Sequence, residues 1–169
     1  MMHLGSLSSN EVGEIYSRPR VALEAPNFGF DQGFSLDLRV NDPDDDMPCD
    51  FNIKEKRDKA RRKVLEEQPM LLIGSPGCHP FSKLQQLTWR KRPPEEYEAM
   101  VMEGLEHHRF FYELYQIQID GGRYFVHESP DDTWSMLTDF AQDVIDQPEV
   151  HKVRGDMCMY SMVSQDHEG

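Results

Sequence analysis

An α/β fold with a mostly parallel sheet is what this sequence predicts, and three observations carry the prediction. Strand-like and helix-like patterns alternate along the chain, beginning and ending on a strand. That order calls for crossover connections, which lay successive strands parallel. "MLLIG" at 70–74 is an unbroken apolar run between turn signals, as in a strand covered on both faces. A long helical pattern between the central strands presents one broad apolar face.

The elements follow in order. "EVGEIYS" places Val12, Ile15 and Tyr16 in a short strand broken at "RPR", and a brief helix from Val21 is ended by Pro26 and Gly29. "GFSLDLRV" reads as a second strand, with Asp37 unusual among its apolar neighbours. From Phe51 to Gln68 the pattern is helical: Asp50 or Asn52 caps it, Ile53, Ala60 and Val64 share a face, and Pro69 stops it. After "MLLIG", Pro93-Pro94 open the long helix, with Glu95 and Glu96 suited to its positive end. Tyr97, Val101, Leu105, His108, Tyr112, Tyr115 and Ile119 repeat by threes and fours until Gly121-Gly122. "RYFVHE" is a strand stopped at Ser129-Pro130. A helix from Thr133 to Ile145 turns Trp134, Leu137, Phe140, Ala141 and Val144 inward, and a last strand runs from Val150 to Val153.

The 169 residues are read as a flexible start (1–10), one α/β domain (11–162) and a flexible tail (163–169). Cys49, Cys78 and Cys158 are an odd number without metal-type spacing, which indicates a reducing, intracellular setting, nuclear or cytoplasmic. Nothing resembles a signal peptide or a membrane span. A net charge of -13 opposes strong unaided binding to DNA or RNA. Charge is nonetheless blocked: "NDPDDDMPCD" is acidic, whereas "KEKRDKARRK" and "TWRKRPP" are basic, each most simply a solvated face.

Ligands of open α/β sheets bind beyond the carboxyl ends of the strands. That rule selects "YSRPR", "DLRVNDPDD", "SPGCHPFS" and "HESPDD", and gathers Asp37, Cys78 and Glu128 at one rim. Cys78 sits on a turn, where free backbone N–H groups favour a thiolate; the plainer reading is a half-buried, inert cysteine.

"GSPGCHPFS" resembles the catalytic loop of cytosine-C5 methyltransferases, with Gly74, Pro76, Cys78, Phe81 and Ser82 in register after an apolar strand. "RYFVHESP" resembles that family's strand ending in its catalytic glutamate, here Glu128. "EIYSRPRV", "PCDFN", "IGSPGCHPFS", "GRYFVHESP" and "GDMCMYS" together are similar to a divergent set of its relatives, including modules of mobile-element-like polyproteins. The likeness covers residues 11 to 161.

The resemblance implies a Rossmann-like, class I methyltransferase-type sheet with helices on both faces, truncated at the C-terminal side. It implies S-adenosylmethionine as methyl donor, Cys78 as nucleophile toward pyrimidine C6, and Glu128 as its acid partner. Tyr16, Ser17, Asp37, Asp50 and Pro76 would then line the cofactor, with Asp37 on the ribose. Ser82, Arg90, Lys91 and Arg92 would face nucleic acid, with Trp89 packing or stacking beside them. A protein partner or a missing C-terminal domain would supply target recognition. Tyr16, Ser17, Arg18 and Pro19 stand where the family's first loop is rich in glycine, and Gly77 stands where it has proline. A second expectation is therefore a non-catalytic binding or scaffold module that keeps the fold without the cofactor. The histidines lack the close spacing of a zinc knuckle, and His108 and His127 read as packed core residues.

Overall fold

The computed structural model describes residues 10–82, 89, 91–131 and 133–160. Of the expected flexible start only Asn10 is among them, held by its amide on Gly29 O (2.9 Å) and by Asp31 N on its carbonyl (2.9 Å). The expected tail lies outside the described residues.

β1 (Glu11–Ile15), β2 (Asp31–Leu36), β5 (Leu71–Gly74) and β6 (Tyr124–His127) form a four-stranded sheet in the order β2-β1-β5-β6, every neighbouring pair parallel. Helices flank it, giving an α/β architecture compatible with a Rossmann-like fold. They are α1 (Val21–Glu24), α2 (Lys54–Glu67), α3 (Pro94–Asp120) and α4 (Asp139–Ile145). No helix among the described residues is long and apolar enough to cross a membrane.

Register decides which side chains share a face. Val12, Leu71 and Tyr124 lie abreast, as do Glu14, Ile73 and Val126; Gly13, Leu72 and Phe125, then Ile15, Gly74 and His127, take the other side. That second face holds the core. Ile15, Phe34, Leu36 and Leu72 meet Ala60 and Val64 of α2, Phe110, Phe111, Leu114 and Tyr115 of α3, and Ala141 and Val144 of α4. On the first face α1 covers β1 with Ala22, while Tyr124 and Val126 on β6 are 67% and 48% exposed. "MLLIG" is thus covered unevenly: Leu72 and Gly74 are buried, Leu71 and Ile73 half-buried.

Four expectations are corrected. β2 ends at Leu36, so Asp37 lies just beyond it rather than within. The Asp-Pro loop contains a hairpin, β3 (Asn41–Asp42) with β4 (Met47–Pro48), held because buried Asp42 meets Lys59 of α2 at 2.6 Å. The helix expected from Thr133 is a 3-10 turn (Trp134–Leu137) broken from α4 by the extended backbone of Thr138; Ser135 is buried there and Leu137 is 75% exposed. The last strand does not form. Val150 is half-buried and residues 151–153 are exposed, and none of them pairs with a strand among the described residues.

α3 is bounded as its prolines and glycines predict. Its buried residues concentrate from Gly104 to Gln118, because the second half packs between α2 and α4 while Tyr97 and Val101 near its start are only half-buried.

Candidate functional site

The chain leaves β1 outward to β2, then returns across β1 to β5. Strand order therefore reverses between β1 and β5, and their carboxyl ends bound the crevice where such sheets hold ligands. Tyr16 and Ser17 follow β1, Asp37 follows β2, Pro76 and Cys78 follow β5, and Glu128 follows β6. The sheet brings all of these to one rim. Asp50 lies instead before α2.

The turn after β1 is organised by Glu14, a residue the sequence did not single out. Its carboxylate is 1% exposed and accepts from Arg20 N (2.8 Å), Ala22 N (2.8 Å) and Ser17 Oγ (3.1 Å). Ser17 is further engaged, its carbonyl accepting from Ser35 Oγ at 2.7 Å. Tyr16 takes a left-handed backbone, φ 57°, uncommon for a residue with a side chain. That conformation turns its ring onto Phe51, with centroids 4.5 Å apart, and its hydroxyl to His107 Nδ1 at 2.6 Å. Across the same imidazole, Nε2 meets Asn52 Oδ1 at 3.0 Å. An amide oxygen only accepts, so Nε2 carries the proton and Nδ1 accepts from Tyr16. Burial pushes the Tyr16 hydroxyl strongly up and the His107 ring down, keeping both neutral.

Both candidate acids of the cofactor side close local turns. Asp37 Oδ1 accepts from Arg39 N (2.9 Å), and its carbonyl accepts from Cys49 N (3.2 Å), tying it to the hairpin. Asp50 Oδ1 accepts from Asn52 N (2.9 Å) at the entry to α2. Cys49 beside them is buried, its thiol pushed up to about 11 by desolvation, and is inert as a nucleophile.

The Cys78 loop is anchored from below. Pro76, Pro80 and Phe81 are buried, and Phe81 N donates to Cys78 O at 2.9 Å. Phe81 sets its ring edge against His108 and Trp134, each with centroids 4.8 Å away. Gly104 of α3 makes the fit possible, since a Cβ there would lie 2.7 Å from Pro80 Cγ. Cys78 itself is half-buried and free, and Ser82 is half-buried. Glu128 leaves the adjacent strand: its N–H donates to Gly74 O at 3.0 Å, and its side chain is exposed.

No family model, curated protein or solved structure matches the chain.

The basic run on α2 is engaged within the molecule. Lys56 meets Asp45 (2.7 Å), Arg57 meets Glu106 (2.8 Å), Lys59 meets Asp42, and Arg61 holds both carboxylate oxygens of Glu113 (2.6 and 2.7 Å). The acidic loop and the basic helix thus neutralise each other. In "TWRKRPP", Trp89 packs on Tyr97 (4.4 Å), Arg92 meets Glu96 (3.3 Å) and Lys91 is exposed; Arg90 lies outside the described residues. No cluster of metal-ligating side chains forms among the described residues.

Sequence reading weighed His107 only as a metal ligand and did not anticipate its bridge from Tyr16 to Asn52. One signal was available: Glu14 alternates with Val12 onto one face of a strand, where a carboxylate needs donors.

Proposed function

We propose that the chain is a binding module on a cytosine-C5 methyltransferase-like frame, keeping the Cys78 and Glu128 loops at the sheet rim without S-adenosylmethionine-dependent transfer. The observation that carries this reading is Glu14. It takes the backbone N–H groups of Arg20 and Ala22 and the Ser17 hydroxyl, the donors a cofactor after β1 would need. The Tyr16 ring, pinned by Phe51 and His107, adds bulk where the related enzymes have glycine. S-adenosylmethionine would supply an electrophilic methyl group; the residues of this turn do not fit it. Most cations of α2 are already paired and the net charge is -13, which favours a protein partner over a bare phosphate backbone.

Methyl transfer through Cys78 is the second reading. Its support is the anchored Cys78 loop beside Glu128, whose strand bonds to Gly74. Calorimetry with S-adenosylmethionine and a transfer assay on a cytosine-containing oligonucleotide separate the two. We expect no saturable heat, and label incorporation no higher than in the Cys78→Ser control. Micromolar cofactor binding, or transfer that disappears with Cys78→Ser, establishes the second reading instead.

A further inference from the structure

β6 has two edges, and among the described residues only one is paired. Tyr124 N donates to Met70 O at 2.9 Å and Glu128 N to Gly74 O at 3.0 Å, so these residues, with Val126 between them, turn their main-chain groups toward β5. Phe125 and His127 turn theirs the other way. Nothing among the described residues bonds to the N–H or C=O of either. Both residues are half-buried, and main-chain groups withdrawn from water are seldom left unpaired.

A cavity of about 870 Å³ lies against this edge. Tyr124 and Val126 point to one face of the sheet and Phe125 and His127 to the other, yet all four line it. Only a space running along the strand's side meets both faces. The chain from Val150 to Gly155 lines the same space, and from His151 onward it makes no main-chain hydrogen bond with the described residues. The wall is mixed in charge: Arg123, Lys152 and Arg154 stand with Asp131 and Glu149, and Arg154 meets Asp131 at 3.3 Å.

What fits such an edge is another main chain. A donor and an acceptor on each of two alternate residues are what an added strand pairs with. A small apolar molecule leaves those groups unmet, and a simple ion meets only one kind of them. The exposed Tyr124 and Val126 give an added strand apolar ground for its alternate side chains. With cations and acids nearly balanced, the wall suits a strand without a charge run. Another copy of this chain is opposed at neutral pH by its net charge of -13.

We propose that this edge captures a strand of a partner protein: an extended, weakly charged peptide whose main chain pairs with Phe125 and His127 and whose alternate side chains cover Tyr124 and Val126. Such a strand is the protein partner of the binding module, and the proposal rests on that reading.

The test is an NMR titration of the full chain at neutral pH with an acetylated, amidated pentapeptide alternating threonine and valine. Its analogue N-methylated at the three central residues, which cannot pair along either edge, is the control. We expect saturable binding, with amide exchange slowed about tenfold at Phe125 and His127 relative to Val126, which is already paired in the ladder. The analogue should bind about tenfold more weakly. No saturation, unslowed exchange at Phe125 and His127 in the complex, or equal affinity for the analogue overturns the proposal. So does slow exchange at both amides in the free chain, which means that the edge is already filled, by a second copy if the mass is a dimer's. The peptides involve neither S-adenosylmethionine nor Cys78, so a failure here is read separately from the outcome of the cofactor calorimetry.

Discussion

The ring of Phe111 on α3 occupies the space where a side chain on Gly74 would begin. The last residue of β5 is glycine because the long helix presses directly on the strand's backbone at that point. This contact sets the height of α3 above the sheet, and so the seat of the Cys78 loop that leaves β5.

Gly74→Ala should therefore destabilise the protein by about 3 kcal/mol, at the upper end of over-packing effects. The urea midpoint reads it. Adding Phe111→Leu to the same chain should recover part of the loss, a non-additivity expected only of residues in contact. Two strictly additive losses would disprove the contact.

Glu14 predicts a second effect. Glu14→Ala leaves the N–H groups of Arg20 and Ala22 without acceptors, and Ala22 is fully buried. A loss of about 2–3 kcal/mol follows, with faster amide exchange confined to residues 17–22. An unchanged exchange pattern there would remove Glu14 from its organising role.

Two glycines of the Cys78 environment should behave oppositely. Gly104→Ala drives a methyl group into Pro80 and Phe81, so the loop should lift and Cys78 should alkylate faster with iodoacetamide. Gly77→Ala meets nothing within 4 Å and requires no left-handed backbone, so alkylation and stability should stay within ~0.5 kcal/mol of the parent. The pair separates support of the loop from its mere flexibility.

Acid should loosen the molecule through its buried histidines. Desolvation depresses His108 and His127 to about 4 from the ordinary 6.5; the Gly77 carbonyl only partly offsets this at His108. Between those values the unfolded chain binds more protons than the folded one, so stability falls as pH falls. The contribution is complete above about pH 6.5 and is lost on descending toward 4. At pH 5 each histidine should account for about 2 kcal/mol. Urea midpoints measured from pH 7 to pH 5 should drop steeply in the parent and more gently in His108→Leu.

Much of the frame was legible because it depends on local patterns. The apolar run at 71–74 is a strand, and Pro93-Pro94 and Gly121-Gly122 bound α3. What escaped depends on partners distant in sequence. The β3–β4 hairpin looks like a solvated acidic loop until Lys59 is placed over Asp42. Val150 and Val153 suggest a strand, but alternation cannot say whether a neighbouring strand will offer its edge. At the site, strand-end logic brought Asp37, Cys78 and Glu128 to one rim. It could not reveal that Glu14 would take the turn's donors, because that requires the chain to fold back over β1.

Among the described residues β6 has no strand on its outer side, and Tyr124 and Val126 on it remain largely exposed. An unpaired strand is a template on which other copies can stack. At neutral pH mutual repulsion between chains of net charge -13 opposes such stacking, so colloidal stability rests on charge rather than on a covered edge. That safeguard vanishes near the isoelectric point of about 4.9, within the same range in which the buried histidines weaken the fold. Mildly acidic buffers should therefore promote intermolecular β-sheet, nucleated at residues 124–127.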